Sequence, residues 1–288
     1  MQVVLPLALF LIMFGIGLSL TLNDFARLTQ QPKAVLSGSL LQLFGLPLLC
    51  GLIVTAFDLS AEISVALLIL SFAPGGATSN MISYLSKADT ALSVTLTALT
   101  SLITPVTLPL YSVFAVSIYL GVDQPNDYPV LPTIAKLVVI SVVPVLLGMW
   151  VLKKAPNIAN KLQGFAKLAS LGFMIFVVVG VVIQNSDKLQ GLVISIGPIV
   201  TLIAGLAMLM GWSVARSLKL NEQQAVTLAV ETGIQNAGMA LLITEGMLHN
   251  TYMSGIVLLY GVLMQIPAVA IIIYRNRSEW FGVQLGSR

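Results

Sequence analysis

The sequence predicts an all-α integral membrane protein of nine transmembrane helices, and three observations predict it. The chain is 57% hydrophobic and 9% charged, where a soluble domain carries roughly 25% charged residues. Its apolar runs recur along the whole length, each close to the roughly 20 residues a helix needs to cross a bilayer. Its lysines and arginines gather on alternate connections, as the positive-inside rule requires.

The runs lie at about 2–22, 34–57, 62–86, 90–118, 129–152, 164–185, 189–214, 223–245 and 251–274, with boundaries good to a few residues. The first has neither the basic leader nor the small-residue cleavage site of a signal peptide, so it is read as a helix. Connections such as VDQPNDY and KKAPNIANK are rich in turn formers. Nine spans put twelve Lys and Arg on one side, among them Arg27, Lys87, Lys167, Arg216, Arg275 and Arg288. The other side holds Lys188, with Lys136 snorkelling from a helix end. One span more or fewer scrambles this segregation. The N-terminus is therefore expected outside and the C-terminus in the cytoplasm, in a cell membrane of the bacterial inner-membrane kind. Tyr128 and Tyr274 read as interfacial anchors.

The net charge of +3 and pI near 9.0 follow from this topology rather than from a nucleic-acid partner. A single cysteine, Cys50, rules out an internal disulfide and a thiolate metal cluster. A single histidine, His249, argues against histidine-based metal or acid–base chemistry.

Two spans are not plain apolar helix. The third reads LLILSFAPGGATSNMISYLSK and the eighth AVTLAVETGIQNAGMALLIT. Each has a polar, small-residue break at its middle, with Pro74, Gly75 and Gly76 in one and Gly233 and Gly238 in the other. Backbone groups freed there cannot face lipid, where each unpaired one costs several kcal/mol. They must face protein, ions or water. Each broken span precedes one with a late proline, and the two pairs enter from opposite sides. That is the mark of an inverted repeat, here four helices plus five, with a binding site where the discontinuous helices meet.

Glu231 is the only acidic residue deep in a span, and no base lies at its depth. A charge at the bilayer centre costs at least ~2.5–3.5 kcal/mol. Three roles fit it: a cation ligand, a proton relay, or a protonated acid bonded to backbone. Oxygens surround it in sequence: Thr232, Gln235, Asn236, and the carbonyls of Glu231, Thr232 and Ile234 that a break frees. That is the ligand set of a hard cation such as Na⁺. The other break offers Thr78, Ser79 and Asn80, and the next span Ser93, Thr95 and Thr97, where Ser93 and Thr97 share a face. Taken singly, these hydroxyls could equally back-bond to the preceding turn. Gln42 is the one amide in its stretch, and composition does not choose between an interhelical hydrogen bond and an ion ligand.

MFGIGLSLTLNDF, then APGGATSN followed by SVTLTALT, then ETGIQNAG, resemble the bile acid:sodium symporter family, in order and over nearly the whole chain. The resemblance implies two crossed discontinuous helices and a core domain moving against a panel, in the family's nine-helix bacterial-type form. Core helices would lie at about 34–118, 164–245 and 251–274, and panel helices at about 2–22 and 129–152, with 164–185 assignable to either, all within one unit of residues 1–288. It implies two Na⁺ sites. One is Ser79, Asn80, Ser93, Thr97 and Glu231; the other is Gln42, Glu231, Gln235 and the carbonyls of Thr232 and Ile234. Substrate would sit near Asn236, Ala77, Thr78 and Gly233, where relatives often carry Thr in place of Ala77. The implied function is sodium-coupled symport of a small organic anion by a monomer in the bilayer. A proton-coupled or uncoupled carrier of the same fold is the alternative. A receptor, a channel or an intramembrane enzyme fits least, because one carboxylate has no partner for catalysis.

Overall fold

The computed structural model describes residues 4–121, 130–165, 172 and 186–281, and every regular element among them is a helix. Six helices, Pro32–Ala56, Thr90–Leu120, Val130–Lys154, Gly191–Ser217, Glu222–Thr244 and Thr251–Glu279, are long and apolar enough to cross a membrane. A seventh crossing is available if Leu5–Gly17 and Leu22–Gln30, bent by 75°, count as one span. The expected span at 164–185 lies almost wholly outside the described residues, as do Tyr128, Lys167 and Arg288.

In chain order, α1 is Val4–Gly17 and α2 is Leu22–Gln30. The second lies between the first two expected spans. It is a short amphipathic helix, opened by Asp24, whose carboxylate accepts from the amide and hydroxyl of Thr21 at 2.7 Å. Helix α3, Pro32–Ala56, carries a π-helical turn at Leu41–Gly45. The amide of Leu46 reaches back five residues to the carbonyl of Leu41. Pro47 has no N–H to offer the next carbonyl, so the widened turn absorbs the misfit. Helix α7, Val130–Lys154, repeats the device at Val138–Val142, two residues before Pro144.

The expected third span is two helices, α4 (Ala61–Ser71) and α5 (Ala77–Leu85), separated by Phe72–Gly76. Helix α6 is Thr90–Leu120, and α8 is Ser186–Ser217. The expected eighth span is also split, into α9 (Glu222–Gly233) and α10 (Ala237–Thr244). Its break is three residues, Ile234–Asn236, so Gly238 lies within the first turn of α10. The chain closes with α11 (Thr251–Leu263) and α12 (Gln265–Phe281).

Small residues bring the helices close. In α1 and α7, Gly17 meets the backbone of Val145, and Gly148 the backbone of Phe14 and Gly17. In α8 and α9, Gly211 meets the Leu228 carbonyl, and Gly233 packs on Met208 and Ala204. Lipid gives no hydrophobic drive for helix association, so such close backbone packing carries it. Three of the basic residues expected on one side, Lys87, Arg216 and Arg275, lie at one end. Lys87 pairs with Glu279, Arg216 with Glu222 at 3.5 Å, and Arg275 with Glu222 at 3.7 Å. At the same end Arg275 and Asn276 donate to the carbonyls of Ser86 and Leu85, closing the C-terminus of α5. The far end holds the bond from Asn250 to Glu62, 2.8 Å.

Candidate functional site

The two breaks touch, and each completes the other. In the first, Pro74 cannot extend α4, and Gly75 and Gly76 carry the chain on to α5. A Cβ on Gly75 would stand 2.8 Å from Ser79 Oγ, 3.0 Å from the Ile234 carbonyl and 3.2 Å from Glu231 Oε2. Only glycine lets the second break come this near. In the second break, the Asn236 amide leaves the helix and donates to the Ala73 carbonyl, 2.8 Å. The Gln235 amide donates to the thioether of Met264, 3.3 Å. The carbonyls those amides would have served find side chains instead. Glu231 O accepts from Gln42 Nε2 at 3.0 Å, and Thr232 O from Gln235 Nε2 at 2.9 Å.

Glu231 is fully buried. Ser93 Oγ lies 2.5 Å from its Oε1; Gln42 Nε2 and Thr97 Oγ1 lie 3.1 and 3.4 Å from its Oε2. The same two hydroxyls also face Asn80 Oδ1, at 2.7 Å from Ser93 and 3.2 Å from Thr97. Among the described residues every salt bridge lies at a helix end, and none reaches Glu231. The cluster is thus rich in acceptors. Ser93 has one proton for two oxygens, as does Thr97. On the other flank, the side-chain oxygens of Gln42 and Gln235 are buried with no donor. A cation bound on either flank would satisfy oxygens that the protein leaves unmatched.

Most of the residues expected in the two ion sites therefore meet at one carboxylate. Ser79 lies beside it, its hydroxyl donating to the Gly76 carbonyl at 2.8 Å. Ile234 presents its carbonyl to Gly75. Thr95 stays apart, bonded to Ala91 and Asp24 carbonyls. Of the residues expected at the substrate, Ala77 is exposed and Thr78 half-buried at the start of α5, whose N-terminal Gly76 has no side-chain cap. Asn236 stands next to them, its amide nitrogen beside Gly76 while its oxygen caps Met239. Gly233 turns the other way, onto Met208. Met264 escaped the sequence reading, because a methionine in an apolar run carries no signal of its thioether accepting a backbone amide. The π turn around Gln42 also escaped it, although Pro47 five residues on was a legible cue.

A model of the Sodium Bile acid symporter family matches residues 6–192. The chain belongs to that family. Over 248 residues it is 30% identical to the human ileal sodium/bile acid cotransporter, covering 85% of this chain and 70% of that one. An uncharacterized sodium-dependent transporter of Bacillus subtilis (strain 168), YocS, is 29% identical over 80% of this chain and 70% of its own. A probable chloroplastic sodium/metabolite cotransporter of rice, BASS1, is 24% identical over 81% of this chain, which spans 56% of the rice protein. The family is one of sodium-dependent membrane transporters, not enzymes, so sodium use and a small organic substrate come with membership.

Proposed function

We propose that this protein is a symporter that couples two Na⁺ to one organic anion. The observation that carries the reading is the acceptor-rich cluster at Glu231. One fully buried carboxylate is shared by two groups of oxygens drawn from α3, α5, α6 and the α9–α10 break. Ser79, Asn80, Ser93, Thr97 and Glu231 hold the first ion. Gln42, Glu231, Gln235 and the carbonyls of Thr232 and Ile234 hold the second. Two cations against one carboxylate leave net positive charge. With the uncapped start of α5 this favours an anion near Ala77, Thr78 and Asn236. A bile-acid-like, pantoate-like or keto acid all fit that description, because fold and ion site do not fix the anion.

In this reading nine helices form an inverted repeat of four plus five around crossed breaks, in a chain working as a monomer with its N-terminus outside and its C-terminus in the cytoplasm. Helices α1 and α7, closely packed through Gly17 and Gly148, belong to a panel against which the core moves in alternating access. Sodium reads as co-substrate. Each net charge carried inward gains about 2.3 kcal/mol per 100 mV.

One observation favours a second reading. Ser93 Oγ stands between Glu231 Oε1 and Asn80 Oδ1 at 2.5 and 2.7 Å. A protonated Glu231 would donate to Ser93, which would donate on to Asn80. Proton-coupled or uncoupled carriage of an anion by the same fold follows from that chain. The experiment is uptake of candidate organic anions into proteoliposomes under an inward Na⁺ gradient and, separately, an inward proton gradient, with Glu231→Ala beside the native protein. Sodium-driven accumulation that disappears in Glu231→Ala is the expected result. Accumulation by Glu231→Ala with unaltered sodium dependence refutes the ion-site assignment.

A further inference from the structure

We propose that the seam between α5 and α9 is the route by which sodium passes between Glu231 and the end of the molecule where Lys87, Arg216 and Arg275 gather. The proposal rests on the sodium reading above and assigns residues that reading does not use.

The two half-helices lie side by side and antiparallel. At the break, Ser79 stands next to Glu231 across Gly75. At the other end, the Asp89 amide donates to the Gln223 carbonyl at 3.3 Å, and the Thr227 hydroxyl to the Asp89 carbonyl at 3.1 Å. Between these contacts α5 presents Ser79 and Ser83, with Ser86 as its C-cap, spaced i, i+4, i+7 and so on one face. Its opposite face, Met81, Tyr84 and Leu85, is exposed. On α9, Thr227 lies one turn before Glu231 on the same side. The other side of α9 is apolar, with Ala225 and Leu228 packed among Ala34, Val35, Leu92 and Leu96.

Two hydroxyls of the seam stand apart from Ser79 and Thr227, which are bonded to carbonyls. Ser83 and Ser86 are fully buried, and neither Oγ has a partner. Several other buried helical hydroxyls bond to the carbonyl one turn back, Thr100, Thr104, Ser112 and Ser141 at 2.6–2.8 Å, while Ser39 in α3 shares the unpaired state. A buried hydroxyl left unpaired costs roughly 1–3 kcal/mol, and alanine would serve as well for packing. The rise of about 1.5 Å per residue spaces the three serines by about one turn. An ion can hold one oxygen while reaching the next. At the exit Arg275 covers the Ser86 carbonyl at 3.2 Å, and its charge is offset by Glu222.

The test compares Ser83→Val with Ser83→Thr in the full chain in detergent micelles. The two side chains share a shape and differ by one hydroxyl. Sodium exchange is read from sodium NMR line broadening, and affinity from the Na⁺ dependence of the unfolding temperature. Ser83→Val is expected to slow exchange about tenfold, the effect of ~1.4 kcal/mol on a barrier, with affinity unchanged; Ser83→Thr is expected to match the native protein. Equal exchange rates in the two variants overturn the proposal and leave small-residue packing as the role of the face. A loss of affinity as large as the loss of rate also overturns it, because that marks a ligand rather than a path. If the native protein shows no sodium-dependent stabilisation, the ion-site reading fails and the route with it, whereas failure at Ser83 alone leaves that reading standing.

Discussion

Replacing Glu231 by glutamine keeps the shape of the side chain, removes its charge and turns one acceptor into a donor. One carboxylate oxygen accepts from Ser93 Oγ and the other from Gln42 Nε2 and Thr97 Oγ1, and the two proposed ion clusters share this one carboxylate. An ion in either cluster lies within about 4 Å of the carboxylate, where unit charges attract by ~4 kcal/mol at an effective dielectric constant near 20. At 1.4 kcal/mol per tenfold, sodium affinity should fall by about three orders of magnitude. Stability in the absence of sodium should move the other way. The new amide can donate to Ser93 Oγ, and a buried charge costing at least ~2.5–3.5 kcal/mol is gone. The assay is the unfolding temperature of the purified chain in detergent, titrated with Na⁺ against K⁺ at constant ionic strength. Each native site should contribute about 2.7 kcal/mol of stabilisation at a hundred times its Kd. Glu231→Gln should start at least as stable and then not respond. A glutamine variant that still rises with Na⁺, or that is less stable than the native chain without it, refutes the reasoning.

Gln42→Leu removes a side-chain oxygen from one cluster only, so sodium dependence should keep one site and lose its cooperativity, read as a Hill coefficient falling from about 2 toward 1. Gly75→Ala drives a methyl group against Ser79, Ile234 and Glu231; overpacking of this kind costs about 1–3 kcal/mol, and transport should be lost along with that stability. Met264→Leu keeps the volume and leaves the Gln235 amide unpaired, for roughly 1–3 kcal/mol, and the same titration should show weaker sodium binding from a displaced Gln235.

Much of this architecture was legible because membranes punish ambiguity. Pro74 and the polar run ETGIQNAG stand out in the middle of apolar runs, and both mark real breaks. Charge on the connections placed Lys87, Arg216 and Arg275 together, and they meet around Glu222 and Glu279. Short-range chemistry was less legible. Helix α2, LNDFARLTQ, looks like a polar loop until Phe25 is seen packing on the core. Gln42 could not be assigned from its neighbours, because its partner stands elsewhere in the chain. Thr95 and Thr97 look alike in sequence, yet one turns to backbone and the other to Glu231. The difference is one of helical phase against a neighbour, which a local reading does not see.

The bonds between Gln42 and Glu231 span 189 residues, and that distance has a consequence for biogenesis. A ribosome adding roughly 5–20 residues per second delivers Glu231 about ten to forty seconds after Gln42. Through that interval the amide of Gln42 and the carbonyl of Ala73 are made but their partners are not. The first half of the chain cannot settle into lipid as a finished unit. It must be held, in the insertion machinery or in a wet, loosely packed state, until the second break arrives to close it.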